Sequence, residues 1–275
     1  MDIKSKIKRA GKYLLYGTPV VTANIRLSSQ GEKLKDRQIL ITGGNRGLGY
    51  AMAKKFISEG AQVIITGRNQ ASLAAKSSEL ECKQAVLDVS HSENFENFFQ
   101  EIEDKFGRID ILVNNAGISL HEPSFFDVTP ESFDAQITTN LRGPFFLTQA
   151  FIKRRISKKE KAAILFISSE TGETADCRPY GYTKAATNSM VQGLAHLFKN
   201  KGIRINAIAP GITATDMTGI CKDGNLYAGN YGEGRYYLPE EVAEVACFMV
   251  SEESGCLSGQ ILTCNNANTI NARWK

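Results

Sequence analysis

The sequence predicts one α/β domain built on a doubly wound, parallel sheet of seven strands. From Gln38 onward, short runs of Val, Ile and Leu alternate with longer segments of helical periodicity, which is the pattern of strand–helix–strand units. The chain has 275 residues, of which 42% are hydrophobic and 23% charged, so it can bury one large core. Its apolar runs are all far shorter than the roughly 18 residues that a membrane-spanning helix needs.

The strands are predicted where β-branched and other apolar residues cluster. The seven predicted strands are 38–42, 62–66, 84–87, 109–113, 162–168, 203–208 and 260–263. The helices between them are predicted to begin near residues 47, 91, 131, 179 and 239. Segments of this length cross over between parallel strands. Ligands of such sheets bind at the carboxyl ends of the strands, near the point where the strand order reverses.

Residues 1–36 are predicted to form a basic N-terminal extension, and residues 37–275 form the domain. Residues 1–35 hold eight Lys and Arg residues against two acidic residues, while the rest of the chain is nearly neutral. This distribution argues against nucleic-acid binding across the surface. We expect the extension to pack on the domain or on a neighbouring subunit, in preference to docking on a membrane or an acidic partner.

The six cysteines do not indicate a metal site or disulfides. They include no CxxC pair and no accompanying His spacing of the kind that zinc requires. The N-terminus has no apolar segment followed by a small-residue cleavage site, so no secretory leader is predicted. We therefore expect a cytoplasmic protein with free thiols and no bound metal.

A glycine-rich turn follows the first strand directly and opens the first helix. It reads Thr42-Gly-Gly-Asn-Arg-Gly-Leu-Gly49. Its glycines allow a tight turn and a close backbone approach, and the helix N-terminus offers unpaired N–H groups to a phosphate. We therefore predict that a dinucleotide pyrophosphate binds here. The predicted cofactor-binding residues of the turn are Gly43, Asn45, Arg46, Gly47, Leu48 and Gly49.

The end of the second strand indicates which dinucleotide binds. Arg68 stands in Ile64-Ile-Thr-Gly-Arg-Asn69, where an acidic residue would bind the ribose 2′-hydroxyl. The guanidinium groups of Arg68 and Arg46 favour a 2′-phosphate through charge-assisted hydrogen bonds, so the predicted cofactor is NADP. Asp88, with its neighbour Val89, ends the third strand, where it either accepts a hydrogen bond from the adenine amino group or caps the next segment.

Tyr180 and Lys184 are the predicted acid–base pair. They are four residues apart at the start of a helix, so both project from one face. An ammonium group beside a phenol lowers the phenol's pKa from about 10 and makes it a usable acid or base nearer neutrality. Tyr182 is offset by two residues from Lys184 and is assigned to packing or to the lining of the pocket.

Four motifs in this order resemble the classical short-chain dehydrogenase/reductase family. They are TGxxxGxG at 42–49, Asn114-Asn-Ala-Gly117, Tyr180-Gly-Tyr-Thr-Lys184 and Pro210-Gly211. The resemblance covers residues 37–270 and implies a Rossmann-like fold with a nicotinamide cofactor. In that family the tyrosine protonates the carbonyl oxygen as hydride arrives, and the lysine also holds the nicotinamide ribose. The resemblance gives these roles to Tyr180 and Lys184, which therefore also bind the cofactor.

The resemblance implies the remaining site residues. Ser169, the second serine of Ile167-Ser-Ser-Glu-Thr-Gly172, would bond the substrate oxygen, although the short interval to Tyr180 leaves Ser168 as the alternative. Asn140 would hold a water in a proton relay behind the lysine, or satisfy a helix kink. Thr215 would bond the nicotinamide carboxamide. The further cofactor-binding residues are Asn115, Ala116, Gly117, Pro210, Gly211, Thr213 and Thr215.

The family also commonly pairs subunits, which implies a homo-oligomer, either a tetramer or a dimer. The contacts would use the helices near 131–153 and 179–200 and the last strand. Apolar residues that one subunit would leave uncovered are Phe145, Phe146, Leu147, Met190, Leu194 and Leu197.

Two segments limit what the resemblance implies about the substrate. The last strand is followed by Cys264-Asn265-Asn266, where the family commonly has Asp-Gly-Gly. Residues 216–238 fall where the family keeps its substrate lid, and they are rich in Gly and Tyr. Glycines supply hinge freedom and tyrosines supply flat, hydrogen-bonding surface, a composition suited to a polar ligand such as a sugar and also typical of an ordinary mobile loop.

The sequence therefore predicts an NADP-dependent oxidoreductase that interconverts a small carbonyl compound and an alcohol, acting as a reductase of a polar or sugar-like substrate. One alternative is a 3-oxoacyl-acyl-carrier-protein reductase, which would need a basic rim at the pocket mouth. The alternative from another class is a catalytically silent NADP-binding regulator. The joint presence of Asn140, Ser169, Tyr180 and Lys184 argues against that alternative.

Overall fold

A seven-stranded, all-parallel sheet runs through the computed structural model, which describes residue 20, residue 22 and residues 31–270. The strand order is β3-β2-β1-β4-β5-β6-β7. The strands are β1 Gln38–Thr42, β2 Gln62–Gly67, β3 Lys83–Val86, β4 Ile111–Asn114, β5 Ala162–Ile167, β6 Ile203–Pro210 and β7 Ile261–Cys264. This is the fold that the sequence predicts. The expected packing of the N-terminal extension falls almost wholly outside the described residues.

Seven α-helices cover the sheet within residues 31–270. They are α1 Gly47–Ser58, α2 Gln70–Glu79, α3 Phe95–Phe106, α4 Pro130–Ile137, α5 Gly143–Ser157, α6 Pro179–Phe198 and α7 Pro239–Val250. A π-helical turn, Thr138–Arg142, joins α4 to α5. No helix among the described residues is long and apolar enough to cross a membrane.

Helix α2 is the element that the sequence pattern does not indicate. It is only weakly amphipathic, because Leu73 and Ser77 are its only buried residues. Its start is fixed locally, since the Asn69 side chain accepts a hydrogen bond from the Ser72 amide at 2.8 Å. The third helix begins at Phe95 rather than near residue 91, because a short 3₁₀ turn precedes it.

The sheet is buried on both faces. Along β1, Ile39 and Ile41 pack with α1 and α7, while Leu40 between them packs with α3, α5 and α6 on the other face. Each central strand therefore reads as an unbroken apolar run. The chain leaves β1 and β4 in opposite directions along the sheet, so their neighbouring carboxyl ends open a crevice.

The residues expected at subunit contacts divide into two groups. Phe145, Phe146 and Leu197 are exposed, at 40%, 38% and 66% of their surface. Leu147 is fully buried in the core, so its expected place on an uncovered surface is wrong: it points from α5 towards the sheet. Met190 and Leu194 pack partly against the same core. The homo-oligomer stays a prediction.

Gly49 lies where α1 approaches the glycine-rich turn most closely, so a larger residue there tests this contact. A Cβ atom there would overlap the carbonyl oxygen of Gly43 and the side-chain amide of Asn115. We expect Gly49→Ala to lower the free energy of unfolding by about 2 kcal/mol or more, because backbone atoms would have to move. Thermal and urea unfolding of the two proteins would measure this loss.

Gly193→Ala is the matched control. Gly193 lies in α6, and a Cβ atom there would meet no atom within 4 Å. Alanine at this site should raise the free energy of unfolding by about 0.5–1 kcal/mol, because glycine is unfavourable inside a helix. Equal effects of the two substitutions would contradict the proposed close approach at Gly49.

Candidate active site

A cleft of about 660 Å³ lies at the carboxyl ends of the central strands. It brings together most of the residues that the sequence singles out. Those that line it are Gly43, Asn45, Arg46, Gly47, Leu48, Arg68, Asp88, Val89, Asn115, Ala116, Gly117, Ser169, Tyr180, Lys184, Pro210, Gly211, Thr213 and Thr215. Gly49 and Asn140 do not line the cleft. Each contacts residues that do, Gly49 at the glycine-rich turn and Asn140 at Ile118.

The glycine-rich turn leaves the N-terminus of α1 free for an anion. Gly43 and Gly47 have φ angles of 65° and 53°, a region that favours glycine. Arg46 precedes the helix in an extended conformation, and no side chain caps the helix start. The first turn of α1 contains no acidic residue. These features fit a dinucleotide phosphate, which would receive the unpaired N–H groups and the positive end of the helix dipole.

Hydrogen bonds between the ends of β1 and β4 hold this turn in place. Thr42 Oγ1 accepts hydrogen bonds from the Asn115 and Ala116 amides, each at 3.0 Å. The Asn115 side-chain amide donates to the carbonyl oxygens of Thr42 at 2.8 Å and Gly43 at 3.0 Å. Asn115 thus supports the wall of the cleft from behind.

Two arginines stand at the outer end of the cleft. Arg46 and Arg68 both line it and are exposed, and neither side chain makes a hydrogen bond or ion pair with a described residue. Asp88 accepts hydrogen bonds from the Ser90 amide at 2.9 Å and hydroxyl at 2.7 Å, so it caps the turn after β3 while it lines the cleft. Although burial opposes it, these bonds and the nearby charge of Arg68 lower the pKa of Asp88.

Tyr180 and Lys184 lie together at the start of α6, as their spacing predicts. Lys184 Nζ is 5.3 Å from the centre of the Tyr180 ring and donates a hydrogen bond to the carbonyl oxygen of Ile167 at 2.8 Å. Burial raises the pKa of Tyr180 to about 12, and a hydrogen bond with Ser169 offsets part of this increase. Burial lowers the pKa of Lys184 to about 8. The expected lowering of the phenol's pKa is therefore not found, because burial dominates and only the hydrogen bond with Ser169 opposes it.

The two serines after β5 have different surroundings. Ser169 lies close enough to the Tyr180 hydroxyl to lower its pKa, and the Ser169 hydroxyl accepts a hydrogen bond from Thr171 Oγ1 at 3.0 Å. Ser168 is buried, and its hydroxyl donates to Asn188 Oδ1 at 2.6 Å. The geometry therefore places Ser169, and not Ser168, beside the tyrosine hydroxyl.

Asn140 connects the cleft wall to the helix that carries Tyr180. Its Oδ1 accepts from the Ile118 amide at 2.8 Å, and its Nδ2 donates to the Ile118 carbonyl oxygen at 2.8 Å and to Thr183 Oγ1 at 3.3 Å. Thr183 in turn donates to the carbonyl oxygen of Tyr180 at 2.7 Å. Asn140 lies in the π-helical turn, a feature frequent at functional sites. Its expected role in a proton relay stays a prediction.

A buried carboxylate that the sequence reasoning passed over joins three loops. Glu170 accepts hydrogen bonds from the Tyr231 hydroxyl at 2.7 Å, from Asn265 Nδ2 at 2.9 Å and from Asn268 Nδ2 at 3.4 Å. The Tyr231 hydroxyl also accepts a bond from the Ile212 amide. The unusual turn after β7 thus supplies donors for a charge next to the serine motif. A charged residue inside that short motif is the sequence signal for it.

The loop before Tyr180 contains Cys177 and Arg178, and its position predicts that both border the substrate pocket. Arg178 does line the cleft, and its Nε donates a hydrogen bond to Asp176 Oδ1 at 3.1 Å. Cys177 is exposed and does not line the cleft. Tyr182 is 46% exposed and also lies outside it, so its assignment to packing or pocket lining is wrong: its offset along α6 turns it to solvent.

Comparisons with known proteins agree on one family. The family model described as Enoyl-(Acyl carrier protein) reductase matches residues 43–266. The chain is 31% identical over 249 residues to a 3alpha-hydroxysteroid dehydrogenase of Mediterraneibacter gnavus, covering 85% of this chain and 97% of that protein. It is 33% identical over 243 residues to a 3-oxoacyl-(acyl-carrier-protein) reductase FabG of Aquifex aeolicus, covering 85% and 97%.

A solved structure has the same fold. The 3-ketoacyl-(acyl-carrier-protein) reductase from Brucella melitensis, complexed with NADH, superposes with a TM-score of 0.78 at 28% identity. The match covers 86% of this chain and 100% of that chain.

Alanine substitution distinguishes the two serines. We expect Ser169→Ala to lower kcat about 100-fold or more, because it removes a donor beside Tyr180, while the dissociation constant for the nicotinamide cofactor changes little. Ser168→Ala should lower the free energy of unfolding by about 1 kcal/mol and leave kcat within a few-fold. Steady-state kinetics with unfolding curves would measure both, and a larger loss of kcat in Ser168→Ala would refute the assignment.

Proposed function

Since the chain belongs to the classical short-chain dehydrogenase/reductase family, we propose that this oxidoreductase acting on CH–OH groups is an NADP-dependent reductase of a polar or sugar-like carbonyl compound. The observation that carries the proposal is the cluster of Tyr180, Ser169 and Lys184 in the same cleft as the glycine-rich turn. A phenol, a hydroxyl and an amine placed together supply a proton and hydrogen-bond donors to a carbonyl oxygen.

Each residue has a role in this reduction. The nicotinamide, when bound, supplies the hydride. Ser169 donates a hydrogen bond to the substrate oxygen and orients it towards Tyr180. Tyr180 then gives its hydroxyl proton to that oxygen as negative charge develops there. Lys184 lies over the tyrosine ring and would hold the ribose of a bound cofactor. Asn140 links the start of α6 to the cleft wall through its hydrogen bonds with Thr183 and Ile118.

The preference for NADP rests on the two free guanidinium groups. Arg46 and Arg68 flank the outer end of the cleft without hydrogen-bond or ion-pair partners among the described residues. A 2′-phosphate would satisfy both through charge-assisted hydrogen bonds. Of the acidic residues near this end, Asp88 already has its Ser90 bonds and is offset from the place where a carboxylate would select the unphosphorylated ribose.

A 3-oxoacyl-acyl-carrier-protein reductase is the second candidate, and the similarity to FabG favours it. Recognition of an acyl carrier would use a basic rim at the mouth of the cleft. Arg178, two residues before Tyr180, is the arginine that lines the cleft close to Tyr180 in the sequence. Its charge is neutralised by an ion pair with Asp176. This pairing favours a polar substrate over an acyl carrier.

Tyr180→Phe tests the reductase activity. With NADPH and a panel of ketones, aldehydes, ketoses and 3-oxoacyl thioesters, we expect the wild-type protein to oxidise NADPH with some member of the panel. Tyr180→Phe should lose at least 100-fold in kcat and keep its affinity for NADPH, since only the transferable proton is removed. Tyr182→Phe is the matched control and should behave as wild type. A silent regulator would consume no NADPH with any member.

Arg68→Ala tests the cofactor preference. Removing one charge-assisted contact should weaken NADPH binding about tenfold or more and leave NADH binding nearly unchanged. Fluorescence titration of each cofactor would measure the two dissociation constants. An equal loss for NADPH and NADH would rule out a 2′-phosphate contact by Arg68.

A further inference from the structure

The loop after β4 places a buried carboxylate in the wall of the cleft. Glu122 is 7% exposed and lines the cleft. Its Oε1 accepts a hydrogen bond from Gln136 Nε2 at 2.6 Å. Its Oε2 makes no hydrogen bond or ion pair with any residue that the structure describes. Since Glu122 lines the cleft and this oxygen is not enclosed by protein atoms, Oε2 is accessible from the cleft and can accept a hydrogen bond from a ligand there.

The contacts of its neighbours place Glu122 at the substrate end of the cleft. The preceding residue, His121, has Nε2 at 2.8 Å from the carbonyl oxygen of Met217, in the predicted lid. The charge of Glu122 also acts on Arg178, which stands two residues before Tyr180. Glu122 therefore lies between the loop that contains Met217 and the start of α6, in the part of the cleft that we assign to the substrate.

The charge at this end of the cleft is negative. Glu122 and Glu170 are both buried carboxylates that line it, and Asp216 lines it as well. The guanidinium of Arg178 is committed to Asp176, with Nε and Nη2 at 3.1 Å and 3.3 Å from the two carboxylate oxygens. The free arginines, Arg46 and Arg68, belong to the predicted cofactor end. A substrate with a carboxylate or phosphate group would meet repulsion here.

We propose that Glu122 is a specificity-determining residue whose open oxygen accepts a hydrogen bond from a hydroxyl group of the substrate. The site then selects an uncharged, polyhydroxylated carbonyl compound over one that carries an anionic group. Gln136 holds the carboxylate in position by donating a hydrogen bond to Oε1. Oε2 distinguishes substrates by accepting a hydrogen bond from a hydroxyl group. This inference rests on the proposed reductase function and narrows its substrate class.

Binding to the NADPH complex tests this without turnover. The probes are alditols of three to six carbons, each paired with the aldonate of the same chain length, in which one terminal CH₂OH is replaced by a carboxylate. Neither can accept hydride at its hydroxyl carbons, so the NADPH complex with either one is a dead end. Calorimetric titration gives the dissociation constants. We expect at least one alditol to bind at least tenfold more tightly than its aldonate.

The substitution Glu122→Gln tests the hydrogen bond that we propose for Oε2. The substituted side chain would keep an oxygen for Gln136 Nε2 and offer an amide group to Gln136 Oε1, which is buried without a partner, so the fold should persist. The alditol should lose about tenfold or more in affinity, because the acceptor oxygen at the open position is replaced by an amide NH₂ group, which can only donate. The aldonate should bind as well as before or more tightly. The discrimination between the two should therefore collapse while the NADPH affinity is unchanged.

Glu173→Gln is the matched control. Glu173 is exposed, lies outside the cleft and accepts a hydrogen bond from Thr263 Oγ1 at 2.6 Å. The same substitution there should leave both affinities unchanged. The proposal is overturned if no alditol binds, if aldonates bind as tightly as alditols, or if the two variants behave alike.

The experiment also separates this inference from the proposed function. If alditols bind through Glu122 but NADPH is oxidised by no ketose or other carbonyl compound, the specificity stands and the reductase function fails. If carbonyl compounds are reduced but the alditol preference is absent, the reductase function stands and the role of Glu122 is refuted.

Discussion

The joining of β1 to β4 at their carboxyl ends is the constraint on which the rest of the site depends. The hydroxyl of Thr42 accepts hydrogen bonds from two backbone amides in the loop after β4 and donates one to the carbonyl oxygen of Val113. The side-chain amide of Asn115 donates two hydrogen bonds to carbonyl oxygens of the glycine-rich turn. These bonds cross the point where the strand order reverses, so the free N-terminus of α1 and the loop that carries Glu122 open onto one cleft. They therefore hold the proposed cofactor and substrate ends of the cleft next to each other.

Much of this arrangement could be predicted from the sequence, because the sequence features that indicate it are local. The apolar runs of the buried strands, the positive-φ glycines and the spacing of Tyr180 and Lys184 each depend on a few adjacent residues. Leu147 and α2 show the limit. Helical spacing alone does not say which side of α5 faces the sheet, so Leu147 is misplaced on a surface, and α2 has too few buried residues to show a period. The Glu122–Gln136 and Glu170–Asn265 pairs join residues far apart in sequence, and no local pattern indicates them.

The electrostatics of Tyr180 and Lys184 bear on which protonation state the proposed reaction would use. Proximity alone suggests that an ammonium group would acidify the phenol. In the structure, burial raises the pKa of Tyr180 to about 12, and burial lowers the pKa of Lys184 to about 8, so the lysine charge is itself weakened towards alkaline pH. A phenol with this pKa keeps its proton at neutral pH, which is the form that the proposed reduction uses, but the same burial makes it a weaker acid.

The turn after β7 and the serine motif are best understood as one unit. Glu170 follows Ser169 directly and would be an unsatisfied buried charge without donors from elsewhere. Asn265 and Asn268 supply two of them, and the Tyr231 hydroxyl supplies the third while it also holds the Ile212 amide at the wall of the cleft. Asn265, the middle residue of Cys264-Asn265-Asn266, thus provides one of the donors that the carboxylate requires. Through Tyr231 the same carboxylate fixes the backbone beside Gly211, and it adds negative charge to the part of the cleft that we propose for the substrate.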